Sequence, residues 1–86
     1  MAVKLLDYFA DWCGPCHVMA PVLEEIEKEL AGKVEVVRIN VDKQPAEAQK
    51  YGVMSIPTYI IEKDGKEVGR KIGVTAKQEL IKLLQS

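Results

Sequence analysis

Trp12-Cys13-Gly14-Pro15-Cys16 is the stretch that decides how this chain is interpreted, because it contains both cysteines, two residues apart. It follows an apolar segment typical of a buried strand and precedes a segment with helical periodicity. A helix start offers unpaired backbone N–H groups and the positive end of the helix dipole, and both favour a thiolate. We therefore expect Cys13 to be the attacking thiolate. Cys16 lies one turn further on, close enough for a disulfide, and is the expected resolving thiol.

A disulfide between these cysteines would enclose only four residues. The chain-entropy model assigns so small a loop roughly 2 kcal/mol of stabilisation. Two incidental buried cysteines are a poor explanation for this spacing at a helix start. We therefore interpret the pair as a reversible redox centre and not as a structural cross-link.

The composition predicts one domain spanning residues 1–86. The chain has 48% hydrophobic residues and a formal net charge of -1 at pH 7. This apolar content is enough for a core without a metal or further disulfides. Charged residues of both signs are scattered with no basic run, so we expect no nucleic-acid partner and no membrane partner. We expect a monomer.

The first six residues predict no export signal, because the run is too short for the apolar part of a signal peptide and meets Asp7 at once. No apolar run approaches the roughly 18 residues of a membrane span. We therefore expect a cytoplasmic protein. In that compartment thiols are kept reduced, and a Cys-x-x-Cys pair is more often catalytic or metal-binding than structural.

Hydrophobic periodicity predicts the element order βαβαββα. The predicted elements are strand 3–9, helix 14–30, strand 34–41, a short helix opening near residue 45, strands 56–61 and 66–72, and a final helix. Asp64-Gly65 is a strong signal for a two-residue hairpin turn between the last two strands. Thr75 and Gln78 have the spacing of a capping box at the start of the final helix.

Five separated features resemble the thioredoxin family along nearly the whole chain. They are, in order, Asp7, the pentapeptide 12–16, Pro21, the Ile56-Pro57 pair and Gly73. The resemblance implies an α/β thioredoxin fold with a four-stranded mixed sheet in the order 2-1-3-4 and helices on both faces. Family members usually begin with one more strand and helix, so the chain resembles a minimal form in which strand 34–41 is an exposed edge.

The same resemblance implies an enzyme that exchanges dithiols for disulfides without a metal or organic cofactor. Its substrates would be proteins that contain disulfides, and a thioredoxin reductase would return it to the dithiol form.

Asp7 lies in an apolar strand, where an ionised carboxylate is costly without a partner. The resemblance implies that Asp7 lies behind Cys16 and takes up its proton through a water, with a pKa raised by burial. A strand-end carboxylate bonded to backbone is the ordinary alternative. Arg38 stands where the family usually has a lysine. Its guanidinium could form a fork to Asp7 and hold it ionised, or extend to solvent and leave Asp7 alone.

The resemblance also implies a substrate-docking surface around the cysteines. Its members would be Trp12, Gly14, Pro15, Ile56, Pro57, Gly73 and Val74. The two glycines would let a partner backbone approach, and Ile56 would pair its backbone with the substrate beside the target disulfide. Pro57, which we count with the catalytic centre, would follow a cis peptide bond. Met54 and Ser55 would only shape the loop before it.

Four other kinds of site or function compete with this interpretation. Cys-x-x-Cys followed by His17 is the attachment motif of c-type haem, with Met19 or Met54 as a further ligand. Haem is disfavoured by the lack of an export signal, and zinc by the lack of a second Cys or His pair. A glutaredoxin-like enzyme that uses glutathione fits the short length but not Gly14-Pro15. A non-catalytic scaffold subunit would use the docking surface without turnover.

Overall fold

The computed structural model of the chain describes residues 2–86 and has the predicted element order. The strands are β1 (Val3–Phe9), β2 (Glu35–Asn40), β3 (Thr58–Lys63) and β4 (Lys66–Ile72). The helices are α1 (Gly14–Glu29), α2 (Pro45–Lys50) and α3 (Lys77–Gln85). The single domain over residues 1–86 stays a prediction, and Met1 lies outside the described residues.

The four strands form one mixed sheet in the order β2-β1-β3-β4, as predicted. β1 pairs parallel to β2 and antiparallel to β3, and β3 and β4 form the antiparallel hairpin. Asp64 and Gly65 join the last two strands with φ angles of 52° and 83°. Both angles are left-handed, as the tight turn of a two-residue hairpin requires, which confirms the turn predicted from the sequence.

Helices cover both faces of the sheet, as predicted. Successive residues of a strand point to opposite faces, so Leu5 and Leu6 of β1 belong to two different cores. On one face Leu5 packs with residues of α1 and α3 such as Leu23 and Leu80. On the other face Leu6 packs with Ala48 of α2. β1, paired on both sides, therefore lies at the centre of the molecule.

The predicted capping box at the start of α3 is wrong. The N-cap residue is Ala76, and no side chain caps the helix there. The Thr75 hydroxyl instead donates a hydrogen bond to the Gly73 carbonyl at 3.0 Å and is buried with its residue. This hydrogen bond directs the hydroxyl towards the loop before the helix, and no N–H of the first turn of α3 donates to a capping side chain, as a capping box would require. The helix consequently begins one residue later than the motif predicts.

α1 runs without interruption from Gly14 through Pro21 to Glu29, with Cys13 as its N-cap. Within residues 2–86, none of the helices has the length and apolar character needed to cross a membrane.

Candidate active site

The two cysteines lie at the first turn of α1, as the sequence predicts. Cys13 is the N-cap residue with φ of -85° and ψ of 105°, an extended conformation that leads into the helix. It is joined to Cys16 by a disulfide, with the two Cα atoms 5.3 Å apart. The backbone N–H of Cys16 donates a hydrogen bond to the Cys13 Sγ at 3.2 Å. The same N–H would stabilise negative charge on that sulfur once the bond is reduced.

Exposure does not single out Cys13 as the attacking group in this disulfide form. Cys13 is 3% exposed, whereas Cys16 is of intermediate exposure. The case for Cys13 therefore depends on its position at the helix end and on the N–H group directed at its sulfur. Cys16 lies within the helix and has no equivalent donor from a later turn, because N–H groups beyond the first turn bond to helix carbonyls.

Trp12 lies beside the disulfide, and a side chain that the sequence did not single out holds it in place. Trp12 is 71% exposed, and its indole N–H donates to Asp42 Oδ2 at 2.8 Å. Asp42 is itself held, because its backbone N–H donates to Asn40 Oδ1 at 3.0 Å. The sequence does contain a signal for this contact: the carboxyl ends of the parallel strands β1 and β2 meet at one edge, so polar residues after β2 face the loop after β1.

His17 contacts the same loop, between β1 and α1, at Asp11. Its Nε2 lies 2.7 Å from the Asp11 carbonyl oxygen, which can only accept, so the ring nitrogen donates. Asn40 Nδ2 also reaches Asp11, at 3.4 Å from Oδ1. These contacts fix the backbone that enters the helix, and they give His17 a structural role on this loop.

The loop before β3 contains the second part of the predicted site. The Ile56–Pro57 peptide bond is cis, which confirms the expectation from the family resemblance. Pro57 is fully buried, and its carbonyl accepts a hydrogen bond from the Gly73 N–H at 2.8 Å. Gly73 has a φ of 87°, and a Cβ placed there would meet no atom within 4 Å. Gly73 thus leaves open space on the surface beside the cis proline.

An apolar pocket of about 380 Å³ joins the two parts of the site. Its lining residues are Trp12, Val41, Ala48, Val53, Met54, Ser55 and Ile56. The structure therefore brings Trp12 and Ile56 together, as expected. It also adds Met54, which is 94% exposed and was expected only to shape the loop. Val74, predicted for the docking surface, is exposed as well.

Asp7 is in the middle of β1, on the face of the sheet that α1 covers, two residues after Leu5. Asp7 is 8% exposed, and this burial raises the pKa of its carboxyl from 3.8 to about 6. The positive charge of Arg38 acts in the opposite direction and lowers the pKa, but its effect is the smaller one. The Arg38 guanidinium Nη2 lies 4.0 Å from Glu27 Oε1 of α1. Of the two alternatives for Arg38, the structure favours the one in which the head group leaves Asp7.

Comparison with known proteins identifies the family. The sequence matches the family model described as Thioredoxin over residues 2–86. It is 51% identical over 80 residues to a thioredoxin from Chlamydia caviae, covering 93% of this chain and 78% of that relative. It is 48% identical over 82 residues to a thioredoxin from Staphylococcus epidermidis, covering 95% of this chain and 79% of that relative.

Solved structures agree with the sequence relatives. A mutant thioredoxin from Halobacterium salinarum superimposes with a TM-score of 0.89 at 36% identity, covering 96% of this chain and 72% of that one. The oxidised form of mitochondrial thioredoxin 3 from Saccharomyces cerevisiae superimposes with a TM-score of 0.88 at 32% identity, covering 96% of this chain and 76% of that one. With its cysteine pair at a helix N-terminus and a cis proline before β3, the chain belongs to the thioredoxin family and is a thiol–disulfide oxidoreductase.

Proposed function

We propose that this protein reduces disulfide bonds in other proteins, with Cys13 as the attacking thiolate and Cys16 as the resolving thiol. The observation that carries the proposal is the Cys16 N–H directed at the Cys13 Sγ from 3.2 Å at the N-cap of α1. A donor placed there favours the thiolate of Cys13 over its thiol and so provides a nucleophile near neutral pH.

The reaction has two exchange steps. The Cys13 thiolate attacks one sulfur of the substrate disulfide, forms a mixed disulfide and releases the other substrate sulfur as a thiolate that takes up a proton. The Cys16 thiol then loses its proton and attacks the Cys13 Sγ, which releases the second substrate sulfur. Two electrons and two protons pass to the substrate, and the enzyme is left as the Cys13–Cys16 disulfide.

Asp7 is the proposed acceptor of the Cys16 proton, through a water. A pKa of about 6 leaves the Asp7 carboxyl largely ionised at neutral pH but still basic enough to take a proton. Its position on the α1 side of β1 places it under the helix that carries both cysteines. A surface carboxylate with an ordinary pKa would be a weaker base.

The proposed docking surface comprises Trp12, Gly14, Pro15, Ile56, Pro57, Gly73 and Val74. Exposed Trp12 and the neighbouring pocket offer apolar contacts, and the open space at Gly73 leaves room for a substrate backbone. Ile56 would pair its backbone with the segment beside the target disulfide. Pro57, buried behind that segment, would support it through the hydrogen bond between its carbonyl and the N–H of Gly73.

The oxidised protein needs an external source of electrons, and we propose a thioredoxin reductase as that partner. We also propose that the protein acts as a cytoplasmic monomer, without a metal or organic cofactor, on disulfide-containing proteins. These proposals are supported by the family match and by the Cys13–Cys16 disulfide, which can itself carry the two electrons of the exchange.

Replacing each cysteine by serine tests the proposal. The Cys16→Ser variant should accumulate a mixed disulfide with a protein substrate such as insulin, because no thiol remains to resolve it. The Cys13→Ser variant should neither reduce nor trap the substrate. The reverse pattern would overturn the assignment of the two roles.

Wild-type turnover and the same variants separate the alternatives. Turnover of the wild-type protein that is sustained by glutathione, but not by a thioredoxin reductase with its electron donor, would favour a glutaredoxin-like enzyme. Stable complexes that form equally well with both serine variants would favour a scaffold.

A further inference from the structure

We propose that Met54 is a second redox-sensitive site of this protein. A peroxide would oxidise its thioether to the sulfoxide, and the sulfoxide would weaken the docking of protein substrates while leaving the cysteine chemistry intact. This inference rests on the proposed function, because it assumes that substrates dock on the surface next to the disulfide.

Met54 is accessible to an oxidant, in contrast to the other methionine in the described part of the chain. It is 94% exposed, whereas Met19 is 1% exposed and packs in the core between α1 and the sheet. Oxidation by peroxide needs the thioether sulfur to approach the O–O bond directly. We therefore expect Met54 to react and Met19 to be protected.

The reaction is a simple two-electron transfer. A lone pair of the Met54 sulfur attacks one oxygen of hydrogen peroxide, an S–O bond forms, and the O–O bond breaks. The remaining oxygen leaves as water after proton transfer, so peroxide is reduced and the thioether is oxidised to the sulfoxide. The cysteine pair is not consumed, and it is protected from peroxide while it is in the disulfide form.

The structure places this methionine where its polarity matters. Met54 lines the apolar pocket of about 380 Å³ that also contains Trp12 and Ile56. On one side of Met54, the Val53 N–H donates to the Ala48 carbonyl at 2.9 Å.

On the other side of Met54, the Thr58 hydroxyl donates to the Ser55 carbonyl at 2.6 Å. Trp12, across the pocket, is held by Asp42 at 2.8 Å. These hydrogen bonds hold the residues on both sides of Met54 and the indole that faces it, so a change of polarity at residue 54 acts directly on the lining of the pocket.

Oxidation replaces an apolar wall of this pocket by a polar S–O group. A substrate side chain that fills the pocket would cover that group without offering it a hydrogen bond, which is unfavourable. We expect the KM for a protein substrate to rise roughly tenfold, as is typical when one polar group is buried unsatisfied. A small aromatic disulfide reaches the cysteines without filling the pocket, so its reduction should not change.

The test begins with the wild-type protein in its disulfide form, treated with hydrogen peroxide. Peptide mapping by mass spectrometry should locate the added oxygen on Met54 and not on Met19. After reduction of the disulfide, the KM for insulin should be raised, and the rate with a small aromatic disulfide should be unchanged. Methionine sulfoxide reductase should restore the original KM.

Two variants complete the design, each compared with itself before and after peroxide. Met54→Leu keeps an apolar side chain that cannot be oxidised, so peroxide should leave its KM for insulin where it was. Met54→Gln carries a permanent polar group. Its KM for insulin should therefore be higher than that of the untreated wild type, and peroxide should not change it.

The possible failures are distinguishable. Oxidation of Met19 ahead of Met54, or an equal loss of insulin reduction in wild type and Met54→Leu, would overturn the inference while leaving the proposed function intact. An untreated protein that reduces neither insulin nor the small disulfide would overturn the proposed function, and this inference with it.

Discussion

Asp7 and Arg38 lie directly opposite each other in the parallel pairing of β1 with β2, yet the Arg38 guanidinium lies 4.0 Å from Glu27 Oε1 on α1. The positive charge therefore acts on Asp7 from the neighbouring strand without a close ion pair. Burial outweighs that charge, and the pKa of Asp7 is raised to about 6. Opposed residues on one face of a sheet usually interact through their side chains, and here the guanidinium lies by Glu27, so its charge only partly offsets the effect of burial on Asp7.

Removing the Arg38 charge should raise the pKa of Asp7 further. In Arg38→Met burial acts on the carboxyl without the opposing charge, so the pKa of Asp7 should lie above 6, as measured by carbonyl NMR of the disulfide form. Lys4→Met is a matched control, since it removes a positive charge from the same strand pair on the opposite face of the sheet. Lys4→Met should leave the pKa of Asp7 unchanged.

Glu27→Gln should lower the pKa of Asp7. The substitution leaves the Arg38 guanidinium without its partner on α1, so the guanidinium is free to turn towards Asp7. If Arg38→Met and Lys4→Met gave the same titration curve as wild type, the charge of Arg38 would have no part in setting this pKa.

Replacing the Asp7 carboxyl by an amide should stabilise the protein at neutral pH. The folded state holds the Asp7 proton more tightly than the unfolded state, because burial raises the pKa from 3.8 to about 6. Stability therefore falls as pH rises between these values, and ionisation costs the folded protein about 3 kcal/mol at pH 7, at about 1.4 kcal/mol per pKa unit. Asp7→Asn removes this cost.

Denaturant unfolding of the disulfide form at several pH values measures the effect. The stability difference between Asp7→Asn and wild type should be large at pH 7 and should shrink as the pH falls through about 6 towards 4. Glu24→Gln removes the same charge from an exposed helix position and should show no such trend. A difference that stays constant with pH would contradict the raised pKa of Asp7.

The periodic and local signals of the sequence predicted the framework of this site well. The apolar run over residues 3–9 predicted a buried strand, and Asp64-Gly65 predicted the hairpin, since both signals depend on residues close in the chain. The contact of Trp12 with Asp42 and the diversion of Arg38 depend on residues brought together only by packing. Periodicity places such a residue on a face but does not say which neighbour its head group reaches.

Replacing Gly73 should weaken substrate docking in addition to lowering stability. Its φ of 87° favours glycine, and a Cβ there points into open space, so Gly73→Ala should lose about 1–2 kcal/mol from backbone strain alone. Gly32→Ala is a matched control, because Gly32 has a φ of 82° and the same open surroundings but follows the far end of α1.

Both glycine variants should lose similar free energy of unfolding, whereas only Gly73→Ala should raise the KM for insulin. An equal KM in the two variants would show that substrates do not approach the backbone at Gly73.

Arg70 should hold the base of the loop that lines the pocket. Its Nη2 donates to the Tyr51 carbonyl at 2.8 Å, and its Nε and Nη2 form a fork to Glu67 at 2.6 and 2.8 Å. Tyr51 is the C-cap of α2, directly before the loop, and its hydroxyl donates to Glu62 of β3. The hairpin β3–β4 thus fixes the end of α2 at two points.

Arg70→Gln should cost about 1 kcal/mol of stability and speed amide hydrogen exchange in residues 52–55, because the Tyr51 carbonyl loses its charged donor. Lys71→Gln is the control, since it removes the adjacent charge, on the opposite face of β4, and its exposed pair with Glu79 at 3.5 Å. It should leave exchange in the loop unchanged. If both variants exchanged at the wild-type rate in residues 52–55, the loop would be held by its own backbone contacts, such as the Val53 N–H to Ala48 hydrogen bond, and not by the hairpin.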